Sequence, residues 1–367
     1  MRLIALSCLL FTATAWPAEQ RKSQRDYDLG VRFEQAAQWK QALDAFSASI
    51  SADPTAPAYL HRAKVQLALN LPEKALADLT EAIHLQPQSA EAFRARGESY
   101  AKLGDHKKAI DDFAKAIDLG DGISQVYAAR AASYEELGYH QLAVDDDSKA
   151  IRLRLDDPAP WKGRGIALTA LGRFRDAIDD FDQAIRLKPD ASAPYLERGF
   201  AHGQLGNFEL AIEDLDRVLR LDRNNGRALA LRAAAWAKRE NLDKAIEDFT
   251  AALNLMPKDQ GLYVARSAIY AAMGDHQKAL ADRNEAVRLK PDSAEAYLAR
   301  GGSYHELGMH DKGLADRSEA IRLRPDLAEA WCARGSAYFL LGDYFKAIPD
   351  LEQAVHLKSD YAEAKEV

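Results

Sequence analysis

The chain has 367 residues, of which 29% are charged, and its 49 lysines and arginines nearly balance its 56 aspartates and glutamates, leaving a formal net charge of −7. Proteins that bind nucleic acid usually carry a basic excess or a basic stripe, so this balance argues against a nucleic-acid partner. A hydrophobic content of 47% argues against wholesale disorder, and the length suits either several domains or one long repeat array.

Residues 1–18 have the composition of a secretory signal peptide. Arg2 is followed by an uncharged apolar run from Leu3 to Ala15 that ends on small residues, as signal peptides do before their cleavage site. The run is too short for an ordinary membrane span, which needs about 20 apolar residues. We therefore predict cleavage after Ala15 or after Ala18 and no integral membrane span. The mature protein is expected to be periplasmic or secreted, with any association with the outer membrane made through a partner.

Cleavage would remove Cys8 and leave Cys332 as the one cysteine of the mature chain. An exported protein can form disulfides, but a single thiol cannot form one within the chain. Stability is therefore expected to come from packing.

After a short linker over residues 19–22, one pattern recurs every 34 residues. Positions 4 and 11 are large, positions 8, 20 and 27 are small, positions 14 and 15 are commonly Leu-Gly, and position 32 is commonly Pro. Self-similarity at a fixed period is the mark of a repeat architecture. Ten copies cover residues 23–361. They begin at Ser23, Ala56, Ala90, Ser124, Pro158, Ser192, Gly226, Gln260, Ala294 and Ala328.

The spacing predicts a helical hairpin in each copy, because positions 4, 8 and 11 share one face of a first helix and positions 20, 24 and 27 share one face of a second. The residues that carry the pattern in the third copy are Phe93, Gly97, Tyr100, Leu103, Gly104, Ala109, Phe113 and Ala116. They resemble the tetratricopeptide repeat. That resemblance implies an all-α, right-handed superhelical solenoid of about ten helix-turn-helix units with a concave groove.

The C-terminal end of the array has almost no capping helix. Only residues 362–367 follow the last copy, and they correspond to a short remnant of such a helix. Repeat arrays normally need a polar cap at each end. The last copy would therefore be open to end-to-end self-association.

Positions 7 and 23 carry opposite charges in nine consecutive copies, where the family normally has Leu at position 7. The first copy has Leu29 and Ala45 instead, so both charges are missing together. Pairing within each copy leaves no charge over, whereas pairing between neighbours would leave one Arg and one Asp unpaired, so we favour a ladder of structural pairs within copies. The alternative is that the arginines line the groove and clamp an acidic ligand. The residues of this Arg–Asp ladder are Arg62, Arg96, Arg130, Arg164, Arg198, Arg232, Arg266, Arg300, Arg334, Asp78, Asp112, Asp146, Asp180, Asp214, Asp248, Asp282, Asp316 and Asp350.

The resemblance also implies that partners lie along the concave face, formed mainly by positions 2, 5, 9, 12 and 13 of the first helices. Those positions are mostly small or apolar here, and the Lys and Asn set with which some family members clamp acidic peptide tails is absent. Such a groove suits an amphipathic helix or an extended apolar peptide. The alternative for each residue is packing against a neighbouring helix. The candidate groove residues are Leu60, Lys64, Leu67, Arg94, Lys162, Ile166, Leu196, Phe200, Val264, Leu298, Cys332 and Phe339.

Two motifs resemble metal sites but lack the required spacing. His305 and His310 resemble a zinc motif, but they are five residues apart and Gly308 ends the helix between them. Asp145, Asp146 and Asp147 are consecutive on a helix and cannot face one point, so we interpret them as a solvated face. No metal, cofactor or catalytic residue is predicted.

The sequence therefore predicts a non-catalytic exported scaffold that binds a partner protein or peptide in its groove. The alternative function is binding of a small molecule or polysaccharide in the same groove.

Overall fold

The structure is a computed structural model that describes residues 18–358 and Glu366. Within these residues every regular element is an α-helix, and consecutive helices pack in pairs as helix-turn-helix units. The predicted all-α repeat fold is confirmed. The first helices of the pairs are α1 (Ala18–Gln35), α3 (Ala56–Ala68), α5 (Ala90–Lys102), α7 (Ser124–Glu136), α9 (Pro158–Ala170), α11 (Ser192–Gln204), α13 (Gly226–Lys238), α15 (Gln260–Ala272), α17 (Ala294–Glu306) and α19 (Ala328–Leu340). The second helices are α2 (Trp39–Ala52), α4 (Pro72–Leu85), α6 (His106–Asp118), α8 (His140–Leu153), α10 (Phe174–Leu187), α12 (Phe208–Leu221), α14 (Leu242–Leu255), α16 (His276–Leu289), α18 (His310–Leu323) and α20 (Tyr344–Leu357).

We number the pairs as repeats 1 to 10 in chain order. The described residues form two compact bodies, of which the first ends at Lys188 and the second begins at Pro189. Repeats 1 to 5 thus belong to the N-terminal body, and repeats 6 to 10 belong to the C-terminal body. None of the helices in the described part of the chain is both long enough and apolar enough to cross a bilayer.

The two helices of each repeat are joined by a turn whose residue at position 15 has a left-handed backbone conformation. Seven repeats place Gly there, with φ between 74° and 79°. The exceptions are Ala37, Asn70 and Glu240, with φ of 53°, 58° and 57°. Glycine is favoured because a Cβ atom clashes with the backbone in this region.

The second helix packs closely on the first through small residues. Position 20 is Ala or Gly in every repeat and is buried, as is position 27. Between them, position 24 projects toward position 8 of the first helix. In repeat 3 a Cβ atom on Gly97 would lie 2.8 Å from the ring of Phe113, so the glycine makes room for the large side chain. The residues at position 24 are Phe46, Leu79, Phe113, Asp147, Phe181, Leu215, Phe249, Arg283, Arg317 and Leu351.

The chain start differs from the sequence prediction. α1 begins at Ala18, so residues 19–22 are helical and not a linker. Glu, Gln, Arg and Lys, which occupy these positions, are all good helix formers, and no Pro or Gly interrupts them. The predicted signal peptide, residues 1–18, shares only Ala18 with the described residues. The predicted remnant of a capping helix, residues 362–367, shares only Glu366 with them. Both predictions therefore fall outside the described chain.

Candidate functional site

The arginines at position 7 and the aspartates at position 23 form nine pairs, each within a single repeat. In every pair Nε and one terminal nitrogen of the guanidinium donate to the two carboxylate oxygens over 2.6–3.0 Å. The arginine side chains are 14–23% exposed and the aspartate side chains at most 10%. This bidentate geometry is the strongest form of Arg–carboxylate pairing.

The ladder also joins neighbouring repeats, which sequence reasoning missed. In at least six repeats the other terminal nitrogen of the arginine donates to a polar side chain at position 25 of the preceding repeat. These acceptors are Ser47, Ser148, Asp216, Thr250, Asn284 and Ser318. The signal was present in the sequence, because position 25 is polar in nine of the ten repeats. Each such arginine therefore links its own hairpin to the one before it.

Aromatic rings complete the surroundings of the arginines. In seven repeats the aromatic residue at position 4 covers the guanidinium at 5.1–5.8 Å from the ring centroid, a cation–π geometry. The hydrogen bond to Asp180 raises the pKa of Arg164. The corresponding hydrogen bonds to Asp78 and Asp282 raise the pKa of Arg62 and Arg266. The arginines are thus engaged by the protein itself, which favours the structural role over the acidic-ligand clamp.

Three of the candidate groove residues are core residues. Leu60 and Leu67 are buried with Ala92 and Ala95 of the next first helix, and Cys332 is buried against α20. The prediction that they line an accessible groove is corrected. The physical reason for Leu60 and Leu67 is that the next first helix carries small residues and packs closely enough to cover positions 5 and 12, whereas Cys332 is covered by the second helix of its own repeat.

Two charged candidates, in repeats 2 and 3, are held in ion pairs. Lys64 Nζ lies 2.6 Å from Glu91 Oε1, and Arg94 Nε lies 3.0 Å from Asp121 Oδ2. Arg94 also reaches Glu91 at 3.5 Å. A ligand that used either cation would have to compete with these carboxylates.

The other candidates remain accessible to different degrees. Val264 and Phe339 are 42% and 40% exposed. Leu196, Phe200 and Leu298 are half-buried. Of these five, Leu196 and Leu298 also pack against the core beside them. All five stay candidate binding residues.

Lys162 and Ile166 are the candidates that the structure brings together in a cleft. This α7–α9 cleft lies between the first helices of repeats 4 and 5, above α8, and has a volume of about 400 Å³. Its lining residues are Ala128, Ala131, Ala132, Glu135, Glu136, Ala143, Asp147, Ala159, Lys162, Gly163 and Ile166. The cleft combines apolar walls with three carboxyl groups and one ammonium group, and it lies wholly within the N-terminal body.

Asp147 is the residue that sequence reasoning misplaced. Of the three consecutive aspartates, Asp145 is exposed, Asp146 is buried in its pair with Arg130, and Asp147 is only 3% exposed. The interpretation as a solvated face is therefore wrong for two of the three. Burial raises the pKa of Asp147 to about 8, partly offset by the charge of Arg164. The available signal was that Asp147 occupies position 24, which is Phe or Leu in seven repeats.

The histidines of the rejected zinc motif lie side by side, although they belong to different helices. Nδ1 of His305, near the end of α17, lies 3.0 Å from Nδ1 of His310, the first residue of α18. Burial, together with the charge of Arg317 and the neighbouring His310, lowers the pKa of His305. Among the described residues no group of three or more His, Cys, Asp or Glu side chains is placed to hold a metal ion.

Comparison with known proteins identifies the kind of repeat. Family models described as tetratricopeptide repeat or TPR repeat match residues 60–122, 158–191, 196–261, 268–308 and 328–361, which together make up more than half of the chain. No curated protein sequence matches the chain.

Solved structures share the fold. The structure of the APC/C hetero-tetramer Cut9-Hcn1 aligns over 94% of this chain and 95% of that chain, with 12% identity and a TM-score of 0.51. A tetratricopeptide repeat protein from Parabacteroides merdae aligns over 68% of this chain and 99% of its own, with 20% identity and a TM-score of 0.52. At these identities the likeness concerns the fold alone.

Proposed function

The chain belongs to the tetratricopeptide repeat family, and from that premise we propose that it is a non-catalytic scaffold that binds a partner protein or peptide along the inner face of its first helices. Stacked hairpins leave a continuous surface that a polypeptide can follow, and repeat proteins use such surfaces for binding.

The α7–α9 cleft is the observation that carries this proposal. It opens between two first helices and is lined by Lys162 and Ile166, two residues singled out from the sequence alone. Its walls are largely alanine, so a side chain of a bound segment can enter between the helices. Concave apolar surfaces with a few polar groups are typical binding sites.

Site-specific photo-crosslinking tests the proposal. A photoreactive residue at Ala132, on the rim of the cleft, is compared with one at Gln141, an exposed residue of α8 in the same repeat. We expect the mature protein in its native compartment to capture a polypeptide from Ala132 and little from Gln141. Equal capture from both positions, or capture of a glycan without protein, would contradict the proposal.

Binding with purified components completes the test. The captured protein is identified by mass spectrometry and titrated against the wild type, Ala132→Phe and Gln141→Phe. Ala132→Phe fills the rim of the cleft and is expected to weaken binding at least tenfold, whereas Gln141→Phe should leave it unchanged. An Ala132→Phe variant that binds as the wild type does would place the partner elsewhere.

We further propose that the scaffold acts after export. The basis is the composition of residues 1–18. The mass of the mature N-terminus, measured on protein made in its own host, is expected to correspond to cleavage after Ala15 or after Ala18. A mature protein that keeps the segment from Leu3 to Ala15 would overturn this proposal and leave the scaffold proposal untouched.

A further inference from the structure

The α7–α9 cleft exists because a core position has changed its chemistry. In repeat 5 the phenyl ring of Phe181 fills the space between its own first and second helices, and Phe113 does so in repeat 3. Repeat 4 has the shorter Asp147 at the same position, opposite Ala131. A carboxyl group occupies less volume than a phenyl ring, so the remaining space forms a cleft that opens between α7 and α9.

The carboxyl group of Asp147 has no hydrogen-bond donor among the residues that the structure describes. It lies against the backbone of Gly163, where a Cβ atom would come within 2.6 Å of Oδ2. The residue is only 3% exposed, yet it lines the cleft. Polar groups in protein interiors are nearly always hydrogen-bonded, and no donor of the described chain reaches this carboxyl group, so it can accept a hydrogen bond from a group that enters the cleft.

The walls above Asp147 are suited to a hydrocarbon stem that ends in a positive charge. Ala128, Ala132 and Ile166 present apolar surface, and Glu135 and Glu136 add two further carboxylates to the lining. Long basic side chains commonly bury their methylene groups along such surfaces and keep the charged end with an acceptor.

We propose that the α7–α9 cleft binds the lysine side chain of a partner segment, with its ammonium group on the carboxylate of Asp147 and its methylene groups between α7 and α9. This inference rests on the proposed scaffold function and specifies the chemistry of one anchor residue. An anchor that enters a desolvated pocket supplies a large share of the affinity at protein interfaces.

The charges around the cleft determine how binding depends on pH. From α7, Glu135 and Glu136 face it, and Glu135 is bonded to His140 at 2.9 Å. From α9 and α10, Lys162, Arg164 and Asp180 lie nearby, and Asp146 is the neighbour on α8 itself. The pKa of Asp147 is about 8 in the free protein, so its carboxyl group is mainly protonated at neutral pH. The ammonium group binds the ionised form, so the affinity rises with pH until Asp147 is ionised in the free protein.

Methyl NMR titration with small amides tests the proposal on the full mature chain. The probe is Nα-acetyl-lysine methylamide, and the control is Nα-acetyl-norleucine methylamide, which has the same stem without the charge. We expect the lysine amide to shift the methyl signals of Ala131 and Ile166 and the norleucine amide to have at most one tenth of its affinity. Below pH 8 the affinity for the lysine amide should rise by up to about tenfold per pH unit.

Two aspartate variants separate the buried carboxyl group from general negative charge. Asp147→Asn keeps the shape of the side chain and is expected to weaken lysine binding at least tenfold and remove its pH dependence. Asp145→Asn removes an exposed charge two residues away and should change the affinity less than twofold. Unfolding curves for both variants verify that each is folded.

The outcomes also separate this inference from the scaffold function. Equal affinities for the two amides, or an Asp147→Asn variant that binds lysine as the wild type does, would overturn the lysine anchor. A partner that is captured at Ala132 but binds Asp147→Asn with full affinity would leave the scaffold proposal standing and remove this anchor. If the cleft binds the lysine amide but no polypeptide is captured at Ala132, the lysine site would stand and the scaffold proposal would be overturned.

Discussion

At the scale of single residues, charges that recur in pairs stabilise the fold, whereas isolated charges at core positions lack such partners. Each ladder arginine donates hydrogen bonds to both carboxylate oxygens of its aspartate. In at least six repeats it also donates to a side chain of the preceding repeat. Asp147 and Arg317 are different, because they occupy the position where most repeats bury Phe or Leu. The desolvation cost of a buried charge is offset where its ion-pair partner recurs with it, and it is not offset where the charge appears alone in the core.

Breaking one ladder pair is expected to destabilise the protein strongly. Arg164→Leu leaves the carboxylate of Asp180 buried without its partner, and such losses amount to about 3–5 kcal/mol. The measurement is denaturant unfolding followed by circular dichroism.

A surface pair in the same repeat supplies the matched control for that loss. Arg173 and Asp176 form an ion pair with both side chains about half exposed, so Arg173→Leu is expected to change the unfolding free energy by less than about 1 kcal/mol. The double variant Arg164→Leu/Asp180→Leu should recover most of the loss. Equal effects of Arg164→Leu and Arg173→Leu would contradict the structural role of the ladder.

Replacing Arg317 is expected to stabilise the protein. Arg317 is only 7% exposed, and burial lowers the pKa of its guanidinium group. Its Nε and Nη1 atoms are buried without a hydrogen-bond partner among the described residues. Arg317→Leu restores the usual core chemistry and should raise the unfolding free energy by about 1–3 kcal/mol.

Arg283 is the control for Arg317, because it occupies the same position one repeat earlier. Its Nη1 donates to the carbonyl oxygen of Ala299 at 2.7 Å and to Ser303 at 2.6 Å, so Nε is the one Arg283 nitrogen that is buried without a partner among the described residues, against two in Arg317. Arg283→Leu should therefore give a smaller gain than Arg317→Leu when both are measured by thermal unfolding. A larger gain from Arg283→Leu would show that the missing hydrogen bonds are not the cause.

At the scale of the helical hairpin, the turn between the two helices sets the local geometry. Position 15 has positive φ in every repeat, whatever residue is present. The helices on either side bury their small residues against each other, so the turn must close even where glycine is absent. Repeats 1, 2 and 7 therefore hold a non-glycine residue in a strained conformation.

Glu240→Gly is expected to stabilise repeat 7. Glu240 has φ of 57°, which carries a strain of about 1–2 kcal/mol for a residue with a Cβ atom, although glycine also gains freedom in the unfolded chain. The net gain should be about 0.5–1 kcal/mol, measured as a shift of the unfolding midpoint. Gly206→Ala is the reverse control, since φ is 78° and no atom lies within 4 Å of the added Cβ. A loss of stability in Glu240→Gly would contradict the strain argument.

At the scale of the molecule, stability is expected to spread only between neighbours. Within each body, each helix packs against the helices next to it, and most first helices also contact the following first helix. In such arrays the free energy is approximately a sum over repeats and their interfaces. A local change should therefore leave distant repeats unaffected.

Hydrogen exchange tests this locality within the N-terminal body. Arg96→Leu removes the partner of Asp112 and is expected to speed amide exchange in α5, α6 and the adjoining α4 and α7 by tenfold or more. Exchange in α1 and α10 should change less than twofold. Uniform acceleration from α1 to α10 would show that the body unfolds as one cooperative unit.

The repeat period, the hairpins and the ladder could be predicted from the sequence because each depends on residues at fixed short spacing. Helical periodicity determines which positions share a face, and the joint absence of charge at Leu29 and Ala45 pointed to pairing within repeats. The pairing partners are always 16 residues apart, within one hairpin. Local geometry was sufficient for these features.

Only the tertiary structure decided which inner-face residues a partner can reach. Leu60, Leu67 and Cys332 have the spacing of groove residues but are covered by neighbouring helices. Asp147 has the sequence setting of an exposed acidic run but forms the floor of a cleft. The physical reason is that periodicity determines the direction of a side chain, whereas its burial depends on the size of the side chains that the neighbouring helices place against it.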